Sequence, residues 1–196
     1  MTSYEFNCFA SYFGDERVLP DHNGCYTIIE DGADSYINRL HLDFSGRDDV
    51  FVLRQESNKS KSCDLIVVIN RVDRLYVFLC EIKTTLDGRK MSLASKQTGE
   101  SKKFFDSRYD LYSTEYALDN RMEPEYLEII FMEADNCADR KTPSEVAISK
   151  CFNSNKGGEC VTKPMAWSLF RYMEDYKNGI AKIPNAYDFF MRLLPI

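Results

Sequence analysis

Between Asp49 and Thr85 three apolar stretches alternate with short polar turns, a pattern that reads as a strand meander. "DVFVLRQE" (49–56) and "CDLIVVIN" (63–70) are rich in β-branched residues, and "LYVFLCEIKTT" (75–85) forms a third strand of the same kind. "SNKSKS" (57–62) and "RVDR" (71–74) supply the turns. Upstream, "TIIEDGADSYINRLHL" (27–42) places Ile28, Ile29, Ala33, Tyr36, Ile37 and Leu40 within one helical arc, so a helix is expected there, with Gly32 weakening it. Downstream, "SLASKQTGESKKFFDSRYDLYS" (92–113) gathers Leu93, Ala94, Phe104, Phe105, Tyr109 and Tyr112 on one side of a second helix. "EYLEIIFME" (125–133) is a fourth strand. "KPMAWSLFRYMEDYKNG" (163–179), with Pro164 near its start and Gly179 at its end, reads as a helix, and "NAYDFFMRLL" (185–194) as a short last one.

The order helix, three strands, helix, strand, then helices predicts an α/β fold with a central mixed β-sheet of about four strands flanked by helices. No repeat or linker divides the 196 residues, so a single domain, residues 1–196, is expected. The last part, about 160–196, is expected to be a helical extension.

Composition changes this picture little. With 44% hydrophobic and 29% charged residues the chain reads as an ordinary soluble globular protein, and no apolar run is long enough to span a membrane. Seven scattered cysteines, without a C-x-x-C, argue for free thiols and a reducing compartment. No basic, apolar leader is visible at the N-terminus, so a cytoplasmic protein is expected. Two histidines leave little for His-rich zinc sites or His-dependent triads, and there is no phosphate-binding glycine loop.

The net charge of -6 weighs against a polyanion binder, yet it is unevenly spread. Residues 89–108 hold six basic side chains (Arg89, Lys90, Lys96, Lys102, Lys103, Arg108) against Glu100 and Asp106. Residues 115–145 are acidic, with nine carboxylates against Arg121, Arg140 and Lys141.

The chemistry concentrates at one place. In a strand, Glu81 and Lys83 share a face with Val77 and Leu79, and Asp64 shares a face with Ile66 and Val68. If the second and third strands form an antiparallel hairpin, the start of one lies beside the end of the other, and the three charged groups meet at one sheet end. Two carboxylates there suit a hard cation, Mg²⁺ or Mn²⁺, and the backbone carbonyl of Ile82 could add a further oxygen.

Asp64 followed, after sixteen residues, by Glu81-Ile82-Lys83 resembles the signature of the PD-(D/E)xK nuclease superfamily, the restriction-endonuclease-like fold. Cys63 replaces the proline of that signature. The resemblance implies a helix–three strands–helix–strand core over about 27–133. It also implies an acid on the first helix as a further metal ligand, for which Glu30 is favoured, with Asp34 and His41 as substitutes. Some families of this kind use a residue of the second helix at the site, and Gln97 falls inside the apolar arc of that helix while Lys96 projects outward.

The expected function is therefore a metal-dependent nuclease that hydrolyses phosphodiester bonds, DNA favoured over RNA. Its expected catalytic residues are Asp64, Glu81, Lys83 and Gln97. Asp64, Glu81, Ile82 and Glu30 would hold Mg²⁺ or Mn²⁺, and Arg89, Lys90, Lys96, Lys102 and Lys103 would contact the nucleic acid. Expected assemblies are a homodimer or a larger defence or mobile-element complex, without a membrane. The alternative is a catalytically inactive protein of the same fold that binds a partner or nucleic acid, a reading motivated by the acidic stretch at 115–145.

Overall fold

β-Strand alternation governs the first half of the chain, as the computed structural model shows. The structure describes residues 1–29, 37–55, 62–83, 88–116, 121–132, 165–169, 172–175 and 177–194. Ten strands occur among them: β1 Arg17–Val18, β2 Cys25–Ile29, β3 Arg39–Asp43, β4 Val50–Leu53, β5 Leu65–Asn70, β6 Leu75–Lys83, β7 Pro124–Met132, β8 Met165–Ser168, β9 Met173–Asp175 and β10 Ile180–Ile183. The helices are α1 Ser3–Tyr12, α2 Gly88–Glu115 and α3 Ala186–Met191. The strands form a six-stranded mixed sheet of order β1-β4-β5-β6-β7-β8 and a four-stranded sheet of order β2-β3-β10-β9.

The meander β4-β5-β6 is antiparallel, with Leu65 opposite Cys80 and Asn70 opposite Leu75. β6 then pairs in parallel with β7 from Leu75↔Pro124 to Lys83↔Met132. A parallel neighbour needs a crossover, and the 28-residue α2 lies in the connection that supplies it.

Successive side chains of the larger sheet serve two cores. Val52, Val67, Phe78, Cys80 and Ile82 pack with Tyr26, Ile28, Leu40 and Leu42 of the smaller sheet and with Phe190 of α3. Leu53, Ile66, Val68, Val77 and Leu79 face α1 and α2. Phe9 of α1 centres the helical layer, its ring 5.0 Å from Tyr112, 5.2 Å from Tyr109 and 5.7 Å from Phe51. Each such ring brings roughly 1.5–3 kcal/mol of burial, which presses both helices onto the strands that end at Glu81 and Lys83.

Two helix expectations are corrected. Residues 25–29 and 39–43 are strands, paired antiparallel from Cys25↔Asp43 to Ile29↔Arg39. Their buried residues alternate, Tyr26 and Ile28 on one strand and Leu40 and Leu42 on the other. Two runs of period two, offset by the intervening residues, imitate a helical arc. The helix that packs on the sheet is α1, begun by a capping box in which Thr2 Oγ1 accepts from the Glu5 amide at 3.2 Å and Glu5 Oε2 accepts from the Thr2 amide at 2.7 Å. That Thr-x-x-Glu was legible in the sequence.

The helix expected over 163–179 is replaced by β8 and β9. β8 extends the larger sheet beside β7, from Ile129↔Met165 to Met132↔Ser168, and sheet pairing overrides helical propensity. Gly179, at φ +63°, serves the turn from β9 into β10 instead of ending a helix, a left-handed backbone that glycine adopts without strain in either role. Pro164 lies outside the described residues. The short final helix is present as α3, so the extension is of mixed strand and helix. No helix among the described residues is long and apolar enough to cross a membrane.

Candidate functional site

Asp64 stands one residue before β5, at the end of the sheet where β6 finishes. Extending the β5–β6 register by one residue sets Asp64 opposite Glu81. The Asp64 carboxylate turns toward β6, where its Oδ2 accepts a hydrogen bond from the Ile82 amide at 2.5 Å. Lys83 donates to Glu81 Oε1. Lys83 Nζ also lies 3.4 Å from Gln97 Oε1, reaching across from the sheet to α2. The strand alternation that puts Ile82 in the inter-sheet core turns Glu81 and Lys83 toward the helical layer.

Glu81 is 0% exposed, while the side chain of Lys83 is 18% exposed and Asp64 is partly buried, so the site opens to solvent past Lys83 and Asp64. Burial, reinforced by the negative charge of Asp64 and opposed by Lys83, pushes the Glu81 carboxyl up to about 8. Glu81 Oε2 is buried with no hydrogen-bond partner among the described residues. An orphaned carboxylate oxygen beside a second carboxylate is a costly arrangement that a divalent cation would relieve, and the oxygen-only donor set suits Mg²⁺ or Mn²⁺. The residues present therefore fit such an ion: Asp64 and Glu81 supply carboxylates. Among the described residues no group of three or more His, Cys, Asp or Glu side chains converges to hold a metal.

Gln97 faces inward, 7% exposed, and its Nε2 donates to the Ser62 carbonyl at 3.2 Å. Three further buried polar residues join it that sequence reasoning missed. Ser101 Oγ accepts from the Cys63 amide at 2.9 Å and donates to Gln55 Oε1 at 2.8 Å. Thr98 Oγ1 donates to Glu128 Oε2 at 2.8 Å; burial raises the Glu128 carboxyl, against the pull of Thr98 and Lys102. The signal lay in α2 itself, where Gln97, Thr98 and Ser101 continue the stripe of Phe105, Tyr109 and Tyr112 at helical spacing.

Of the remaining candidate metal ligands, the one that the structure describes, His41, is not gathered here. His41 lies on β3 of the smaller sheet, its Nδ1 3.0 Å from Thr27 Oγ1, and lines a groove of about 660 Å³ with Cys25, Asp43 and Lys182 on the face turned away from the larger sheet. It is not a ligand of the Asp64–Glu81 centre, because alternation along β3 sends Leu40 and Leu42 inward and His41 outward. Glu30 and Asp34 lie outside the described residues, as do the side chains of Arg89 and Lys90. Of the basic residues of α2, Lys96 is exposed, Lys102 Nζ sits 4.7 Å from the centroid of the Tyr126 ring, and Lys103 pairs with Glu100 at 2.6 Å. Arg108 lies 3.8 Å from Glu16.

Comparison with family models, curated proteins and solved structures finds no match.

Proposed function

We propose that the chain is a metal-dependent nuclease that hydrolyses phosphodiester bonds, with DNA favoured over RNA. The observation that carries this reading is the buried Glu81 Oε2, without a hydrogen-bond partner among the described residues, at a sheet end shared with Asp64 and Lys83. The element order α1, β4-β5-β6, α2, β7 supports it, because it follows the helix–three strands–helix–strand order of the restriction-endonuclease-like core, with three strands, β1, β2 and β3, inserted after the first helix.

In this reading Asp64 and Glu81 hold Mg²⁺ or Mn²⁺, with the Ile82 carbonyl as a further oxygen. When bound, the ion supplies an activated water and neutralises charge on the scissile phosphate. Lys83 places its Nζ at the mouth of the site, where it orients the attacking water and offsets the charge that grows on the phosphate in the transition state. Gln97 holds Lys83 from the helix side. The exposed basic positions of α2 meet the phosphate backbone.

The test is calorimetric titration of Mn²⁺ into the wild type and Asp64→Ala, followed by incubation of both, and of Lys83→Ala, with linear, circular and single-stranded DNA and with RNA. Metal binding and cutting lost together in Asp64→Ala, and cutting alone lost in Lys83→Ala, are expected. A wild type that neither binds Mn²⁺ nor cuts any of these substrates overturns the reading.

A second reading has its own support. The absence of a third converging ligand among the described residues, with Lys83 already engaged by Glu81 and Gln97, suits a protein of this architecture that binds nucleic acid or a partner without cutting. Binding to DNA that is unchanged by chelation, with no cleavage, distinguishes it.

A further inference from the structure

The backbone of the two residues that lead into Asp64 is held by side chains of α2. The β5–β6 ladder begins at Leu65↔Cys80, so Ser62 and Cys63 lie before it. Their backbone groups find partners one helical turn apart: the Ser62 carbonyl accepts from Gln97 Nε2 at 3.2 Å, and the Cys63 amide donates to Ser101 Oγ at 2.9 Å. Gln97 and Ser101 are four residues apart on α2, which places both on one face.

The Ser101 hydroxyl has a single proton, and it is given to Gln55 Oε1 at 2.8 Å. That fixes the rotor and turns an oxygen lone pair toward the Cys63 amide. Gln55 lies two residues past Leu53, the last residue of β4, and its own carbonyl accepts from Ser62 Oγ at 3.4 Å. The chain of bonds therefore runs from β4 through the helix to the residue preceding Asp64. All its members are buried, Ser101 at 0%, Ser62 at 3% and Gln55 at 8% exposure, so water does not compete for these groups.

The helix has no packing need for polar residues at these positions. Further along the same stripe it uses Phe105, Tyr109 and Tyr112 against the sheet. The polar positions occur where α2 passes the entrance to β5 and the end of β6. A carboxylate that must reach the Ile82 amide from outside the ladder needs its backbone held, and the clamp holds it at the adjacent residue.

We propose that Ser101 and Gln55 are positioning residues that set the Asp64 carboxylate at the proposed metal centre, acting through the Cys63 amide. The inference rests on the reading of that centre as a cation site, and its test separates the two. Ser101→Cys keeps the volume and removes the strong hydrogen-bonding oxygen; Ser101→Thr keeps the hydroxyl; Gln55→Leu removes the acceptor from a second element. Each variant is titrated with Mn²⁺, and amide hydrogen exchange is followed by NMR in the metal-free protein.

In Ser101→Cys and Gln55→Leu, Mn²⁺ affinity is expected to fall by about tenfold or more. Exchange should quicken at the Cys63 and Ile82 amides but not at Leu79 or Cys80. Ser101→Thr restores both. Uniformly faster exchange along β6 with Mn²⁺ affinity unchanged indicates a merely structural role and overturns the proposal. If the wild type takes up no Mn²⁺, the cation reading fails by itself. The clamp is then judged on exchange alone: selective acceleration at Ile82 upholds it, and an unchanged Ile82 amide overturns it. Should Ser101→Cys not fold, Gln55→Leu carries the same comparison.

Discussion

Asp64 and Ile82 are joined by a hydrogen bond of 2.5 Å from the Ile82 amide to the Asp64 carboxylate, across the end of the larger sheet. This contact ties the entrance of β5 to the middle of the Glu81-Ile82-Lys83 triplet, and it aims one acid at the strand that carries the other. Asp64→Asn keeps an acceptor for the amide but removes the charge that adds to burial in raising Glu81. Above about pH 8, where Glu81 is ionised as well, metal-free Asp64→Asn should be more stable than the wild type, because like-charge repulsion is relieved, and it should bind Mn²⁺ more weakly by at least about tenfold. Thermal denaturation with chelator, paired with Mn²⁺ titration, checks both directions.

Glu81 predicts an unusual pH dependence. Its carboxyl keeps a proton up to about pH 8 in the folded protein, against an ordinary value of 4.5. The folded state thus holds more protons than the unfolded chain between those limits, and the stability of the metal-free protein falls as pH rises through the window. Asp21 and Asp43, both lowered by local hydrogen bonds, act in the opposite sense but only at more acid pH. Glu81→Gln should flatten the decline between pH 4.5 and 8, and saturating Mn²⁺ should oppose it in the wild type. Denaturant titrations at four or five pH values measure the slope; equal slopes in wild type and Glu81→Gln would remove Glu81 as its source.

Lys83→Met should separate holding the metal from using it. Lys83 donates to Glu81 and so competes with a cation for that carboxylate. Mn²⁺ affinity is expected to be kept or to increase, while the cleavage rate falls by about 10²–10³, the usual loss when one preorganised donor is removed. Parallel cleavage in Mg²⁺ and Mn²⁺ under single-turnover conditions reads the rate, and full activity in Lys83→Met would remove the lysine from the chemistry.

His41→Ala tests the corrected placement of that residue. Its ring lies on the outer face of the smaller sheet, against Thr27, so Mn²⁺ binding and cleavage should be those of the wild type. A loss of metal affinity in His41→Ala would contradict the separation of the two sheets' outer faces.

Phe9→Ala should destabilise the protein by about 3–5 kcal/mol, the typical cost of a large aromatic cavity. Phe9 is 0% exposed and touches Phe51 of β4 and Phe105, Tyr109 and Tyr112 of α2, so its loss loosens the layer that presses α2 over the site. Chemical denaturation gives the magnitude, and a loss below about 1 kcal/mol would mean that the aromatic layer repacks.

The sequence by itself determined the meander, α2 and β7. Val, Ile and Leu runs bounded by polar turns leave little choice for residues 50–83, and the alternation within β6 placed Glu81 and Lys83 on the α2 face beside Leu79. Gln97 pointed inward because its helical phase agrees with Ala94, Phe105 and Tyr109. Only the tertiary structure decided the rest. Residues 39–43 and 165–168 became strands because partners distant in sequence completed their hydrogen bonding, His41 with its neighbours pairing with Lys182 of β10, and Met165 with Ile129 of β7, and residues 25–29 add on to 39–43 at the sheet edge. A local pattern cannot announce such partners, since period and propensity describe one segment and a sheet needs two. The same holds at the site: Asp64, Glu81 and Lys83 are visible as types and spacings, whereas the Ser101–Gln55 clamp depends on α2 crossing the entrance to β5.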